Sequence, residues 1–153
     1  MGQRDAQLPV VDVGDLTEVV GRIFEDLDRV RPSDRRLPPG IFTPALDAFE
    51  TDGAVEIAVD LPGTAPDDLR VLISGNVVIV AGGKRPPLPE ERSRASFHQV
   101  ERDFGRFARA IRLTGAFMVA EATAIISNGE LRVRIPRIEE RRGRDVVVPI
   151  RRQ

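Results

Sequence analysis

The chain has no cysteine, tryptophan or tyrosine, and its 153 residues include one histidine, His98, and one lysine, Lys84. Without cysteine, disulfides and thiolate chemistry are excluded. With a single histidine, neither a multi-histidine nor a thiolate metal site can form within one chain. A Ser-His-Asp triad would have to use His98. Ser93 and Ser96 lie near it, but no nucleophile-elbow motif surrounds them. His98 therefore reads as structural, and neither an enzyme nor a cofactor is expected. Gly82-Gly83-Lys84-Arg85 lacks the length and the Ser/Thr of a phosphate-binding loop and reads as a strand end. The paired acids Asp67-Asp68, Glu90-Glu91 and Glu139-Glu140 sit in turns or charged stretches and read as solvated.

Large net charge is also missing. A balance of −1 gives no general drive toward nucleic acid or an anionic membrane. The arginine-rich stretch Arg141 to Arg152 has no aromatic residues for base stacking, and acids dilute it. No apolar run approaches membrane-spanning length, and Met1 to Gly14 lacks the apolar core of a signal peptide. The expectation is a soluble, cytoplasmic protein with neither membrane nor nucleic acid as a partner.

What is present is enough for one domain with a core, plus extra length: 41% apolar residues and 31% charged. Arginine makes up nearly all of the basic residues. Its planar fork suits ion-pair networks and subunit contacts, and genome base composition explains the same bias equally well.

Three zones follow. In residues 1–40, Leu16, Val20, Ile23, Leu27 and Val30 recur at steps of three and four, the period of a helix. Asp15 and Glu18 fit a capping-box-like start, and Pro32 and Pro38-Pro39-Gly40 end the segment. This apolar stripe needs a partner surface, in another molecule or on its own domain.

Residues 41–137 read as strands. Val55, Ile57, Val59 and Leu61 alternate with polar or small residues, as do Leu69, Val71 and Ile73. Gly75-Asn76 suits a two-residue hairpin, and Asn128-Gly129 is a strong hairpin signal. Val77 to Val80 are all apolar, which predicts a strand covered on both faces. Phe107, Ile111 and Leu113 share one parity. Ala122, Ala124 and Ile126 precede the second hairpin; Leu131, Val133 and Ile135 follow it, with Arg132 and Arg134 facing away. Short strands with tight turns indicate an all-β, immunoglobulin-like antiparallel β-sandwich.

Arg109 breaks the pattern by sharing the parity of Phe107 and Ile111. A charge on an apolar face is costly unless a carboxylate meets it. Two readings stay open, an intersubunit ion pair and an arginine at the rim with its head in water.

The third zone, residues 138–153, is a polar tail carrying Val148-Pro149-Ile150. Pro149 favours an extended backbone, which puts Val148 and Ile150 on one side. They fit a groove, on this chain or a neighbour, or an ordinary last strand.

Together these residues resemble the small heat-shock proteins of the α-crystallin type. Val59-Asp60-Leu61-Pro62-Gly63 is similar to that family's early strand and turn. His98 to Phe107 (HQVERDFGRF) is similar to its dimerisation segment and following strand. Ala124-x-x-x-Asn128-Gly129-x-Leu131 is similar to its hairpin signature, and Val148-Pro149-Ile150 to its C-terminal motif. Thr114 stands where a proline is usual, Gly83 where an acid is usual, and Arg137 where a lysine is common.

The resemblance implies an ATP-independent chaperone, a holdase that keeps partly unfolded client proteins from aggregating under heat stress. It also implies a seven- or eight-stranded domain that dimerises with a second copy by exchanging a short strand near Ser96 to Val100. Arg109, His98, Val100, Gly105 and Phe107 would lie at that dimer interface. Val148 and Ile150 would dock in a groove made by Leu69, Val71, Ile73, Ala122, Ala124 and Ile126 of another dimer. Leu16, Val20, Ile23, Phe24 and Leu27 of the arm would bind clients. Two rivals remain: a non-catalytic sandwich module binding one specific partner, as co-chaperones do, and a sandwich hydrolase, which the shortage of motifs disfavours.

Overall fold

The computed structural model describes residues 13–29, 36–86, 93–138, 148–150 and 152. After a 3-10 turn at Val13–Leu16 comes helix α1, Thr17–Arg29. The strands are β1 (Leu46–Thr51), β2 (Ala54–Asp60), β3 (Leu69–Ser74), β4 (Val77–Lys84), β5 (Gly105–Arg112), β6 (Thr123–Ser127) and β7 (Glu130–Pro136). They form two antiparallel sheets, ordered β1-β2-β7-β6 and β3-β4-β5. The chain is therefore a β-sandwich, as its alternation predicts.

Both predicted hairpins form. Ser74 pairs with Val77 across Gly75-Asn76, and Ser127 with Glu130 across Asn128-Gly129. Asn128 and Gly129 have φ of 53° and 76°, the left-handed pair that a tight, twist-matched hairpin needs. The strand reading leaves β1 unassigned. Only Leu46 and Ala48 of this edge strand pack on the core, so its alternation is faint. Asp52-Gly53, which joins β1 to β2, is the hairpin signal that marks it.

The sandwich core holds Val55, Ile57, Val59 and Leu61 with Val78, Val80, Phe107, Ile111, Leu131, Val133 and Ile135. A second apolar layer lies on the outer face of β4 and β5. There Val77, Ile79, Ala81 and Ala110 meet Val20, Ile23 and Leu27 of α1. This explains why Val77 to Val80 are all apolar: the odd positions face the helix, the even ones the core. Leu37 joins the helix layer and lies against Gly83, where a Cβ would come within 2.4 Å of its Cδ2.

Candidate functional site

β3 is an edge of one sheet and β6 an edge of the other. Between them lies an apolar groove of about 270 Å³. Val71 and Ile73 come from β3, and Ala122, Thr123 and Ala124 from β6 and the residue before it, with Val119 and Val133 completing the lining. Four of the six expected groove residues are here. Leu69 is instead buried in the core, and Ile126 packs partly buried against it. Thr123, Val119 and Val133 were not anticipated. Val133 carries core parity, whereas Val119 sits in a short 3-10 turn, Val119–Glu121, with no period to flag it.

The tail residues are uncovered within the chain: Val148 is 77% exposed and Ile150 98%. Residues 139–147 fall outside the described part of the chain.

The five residues expected at a dimer interface separate into three groups. His98 and Val100 are exposed on a segment that forms no strand among the described residues. Arg109 is half-buried, and its Nη1 donates a 2.6 Å hydrogen bond to the carbonyl of Pro44; among the described residues no carboxylate pairs with it. Phe107 and Gly105 belong to the chain's own interior, which corrects their expected place at a surface. Phe107 is fully buried and packs edge-on against Phe42, ring centres 5.4 Å apart. Gly105 has φ 117°, and a Cβ there would lie 2.6 Å from the Gly40 carbonyl oxygen. The N-terminal arm crosses β5 at that point, with the Arg106 N–H donating to Gly40 and the Phe42 N–H to Arg106.

The arm stripe is covered within the single chain, one of the two placements its period allows. Val20, Ile23 and Leu27 are buried, and Leu16 and Phe24 pack beside them on the chain's own sheet. The partner surface is internal, because β4 carries a complementary apolar outer face. Val30 lies outside the described residues.

The hydrogen bond and charge of Glu130 push the Arg132 guanidinium up from its ordinary pKa, which keeps it a fixed cation.

The model of the Hsp20/alpha crystallin family matches residues 47–150, from β1 through the tail. The chain belongs to the Hsp20/α-crystallin family. Among its relatives in this family, the 16.9 kDa class I heat shock protein 1 of Triticum aestivum is 35% identical over 94 residues, 61% of this chain. Spore protein SP21 of Stigmatella aurantiaca is 34% identical over 108 residues, 71% of this chain. Each match spans 62% of the relative's own length. The fold is similar to that of heat shock protein 16.0 from Schizosaccharomyces pombe, with a TM-score of 0.62 at 24% identity, covering 87% of this chain and 93% of that one. Helix α1 precedes the matched α-crystallin segment.

Proposed function

We propose that this chain is an ATP-independent chaperone that assembles through its tail and holds partly unfolded proteins in solution. The observation that carries the reading is a complementary pair: an open apolar groove between β3 and β6, and the uncovered Val148 and Ile150 that fit such a groove. In this reading the occupant is the tail of a second copy. Family membership supports the same reading.

Two aliphatic side chains buried per tail contribute about 3–6 kcal/mol gross, before the cost of ordering the tail. A latch of that strength opens and recloses, while many latches acting together hold an oligomer through effective concentration. Warming shifts such an exchange toward smaller species with grooves free. Dimers form in this reading through the exposed segment around His98 and Val100, with Arg109 nearby. Clients meet the arm and the vacated grooves, where burial of their apolar surface stabilises the complex.

Light scattering of a heated client protein, with and without this chain and without ATP, tests the proposal. Suppressed aggregation at equimolar subunits is expected, and an unchanged scattering curve sinks the chaperone reading. A monomer that fails to protect the client points instead to a module for one specific partner.

A further inference from the structure

Helix α1 covers the outer face of β4 and β5 with three buried side chains, yet its polar attachment is concentrated in one residue. Asp28, in its last turn, accepts a 2.8 Å hydrogen bond from Arg106 Nη2 through Oδ2 and a 3.1 Å bond from the Leu37 N–H through Oδ1. Among the described residues, no other polar side chain of the helix is recorded bonding to the sheet; Thr17 Oγ1 donates back to the Gly14 carbonyl, and Asp26 pairs with Arg29 of the same helix.

Arg106 stands on the β5 face that carries Ala108 and Ala110, and its guanidinium lies 5.1 Å from the centre of the Phe24 ring. Its Nε is buried with no described hydrogen-bond partner, so Asp28 is the group that compensates this charge. A cleft of about 460 Å³ runs along one side of the helix, between Val19, Arg22, Ile23 and Asp26 and strand β3.

We propose that the Asp28–Arg106 pair bolts a movable cover. Opening it lets α1 lift from the sheet, exposing two matched apolar surfaces together: Val20, Ile23 and Leu27 on the helix, and Val77, Ile79, Ala81 and Ala110 on the strands. The exposed sheet face fits an apolar segment of a partly unfolded chain. This deepens the chaperone reading and rests on it for the partner, but the movement itself does not.

The absence of cysteine makes the test direct. Ala110→Cys places a single thiol under the helix, and Val80→Cys places one in the sandwich core. Thiol labelling of the full chain is followed in each, with Asp28→Ala or Asp26→Ala added and no client present. Asp28→Ala is expected to raise the Ala110→Cys rate by roughly tenfold or more, leaving Val80→Cys unchanged, and Asp26→Ala is expected to alter neither. An unchanged Ala110→Cys rate, or equal acceleration at both thiols, overturns the cover. Ala81→Cys, on the neighbouring strand, repeats the measurement if Ala110→Cys fails to fold. A chain can pass this test and still fail to protect a client, so the two proposals fall separately.

Discussion

The Arg85 guanidinium grips the Asp68 carboxylate at both oxygens, Nε to Oδ2 and Nη2 to Oδ1, each at 3.1 Å. The Asp68 side chain is only 5% exposed. Arg85 Nη1 also donates to the Arg36 carbonyl, so one residue ties the crossing between sheets to the N-terminal arm. Taking the Arg85 charge away from a buried carboxylate removes part of what offsets its desolvation cost. Arg85→Met, which retains the aliphatic stem, is therefore expected to lower stability by about 2 kcal/mol. Urea unfolding followed by far-ultraviolet circular dichroism measures it. A midpoint equal to that of the parent would show that the pair contributes nothing net.

Gly82 and Gly83 make different demands. A Cβ at Gly82 would lie 2.2 Å from the Asp68 carbonyl oxygen, which is backbone; at Gly83 the obstacle is the Leu37 side chain. Backbone cannot step aside cheaply, whereas a leucine can rotate. Gly82→Ala should cost about 3 kcal/mol and Gly83→Ala about 1 kcal/mol. In a Leu37→Ala background the penalty of Gly83→Ala should disappear while that of Gly82→Ala persists. Denaturant midpoints for the four combinations decide it, and equal penalties in both backgrounds would refute the assignment of Leu37 as the obstacle.

The Asn128-Gly129 turn gives a third contrast. Both residues are left-handed, and a Cβ at Gly129 would sit 3.1 Å from Pro62 Cα. Asparagine tolerates this conformation and glycine adopts it freely. Asn128→Gly should be nearly neutral, and Gly129→Ala should cost about 2 kcal/mol, read from the same unfolding curves. A neutral Gly129→Ala would mean that the Pro62 crossing has slack.

Hairpins and core strands were legible because each is encoded within a few residues: turn chemistry at Asn128-Gly129, period two in Val55 to Leu61. What was not legible depends on where elements end up in space. The helix stripe announces that Val20, Ile23 and Leu27 need a surface, but not that the outward residues of β4 supply it. Phe107 sits in a segment similar to a dimerisation region, yet it shares its parity with Ile111 and lies with it in the core. The groove was named through the family resemblance, and four of the residues so named, Val71, Ile73, Ala122 and Ala124, line the cleft between β3 and β6. Val119 was missed because a 3-10 turn has too few residues to show a period. Gly105 was placed at an interface through the family resemblance, and nothing local reveals that Gly40 crosses over it.

For the tail, Val148→Gly combined with Ile150→Gly is expected to reduce the assembly to dimers or small oligomers. The groove side must give the same result if the two meet. Val71→Arg puts a charge into the lining, where desolvating it against apolar walls is unfavourable, while the tail remains intact. Light scattering coupled to size-exclusion chromatography compares the masses. Parent-sized assemblies from the tail variant would refute docking, and a large mass from Val71→Arg alone would move the docking site elsewhere.

Arg109 lies where two explanations compete, and they separate by what each loses. Its Nη1 already satisfies the carbonyl of Pro44, a buried residue. Arg109→Ala strips that acceptor, which should cost about 1–2 kcal/mol within a single chain. A cation whose described partner is only a carbonyl still has donors to spare, since a guanidinium carries five, and an acid from a second copy could use them. If so, the same variant weakens the dimer as well. The measurement is sedimentation equilibrium in the Val148→Gly, Ile150→Gly background, where larger assemblies are absent. Weakening of the dimer by roughly tenfold or more, together with the loss of stability, is expected. A dimer of unchanged affinity would confine Arg109 to holding Pro44 and leave the interface to the segment around His98 and Val100.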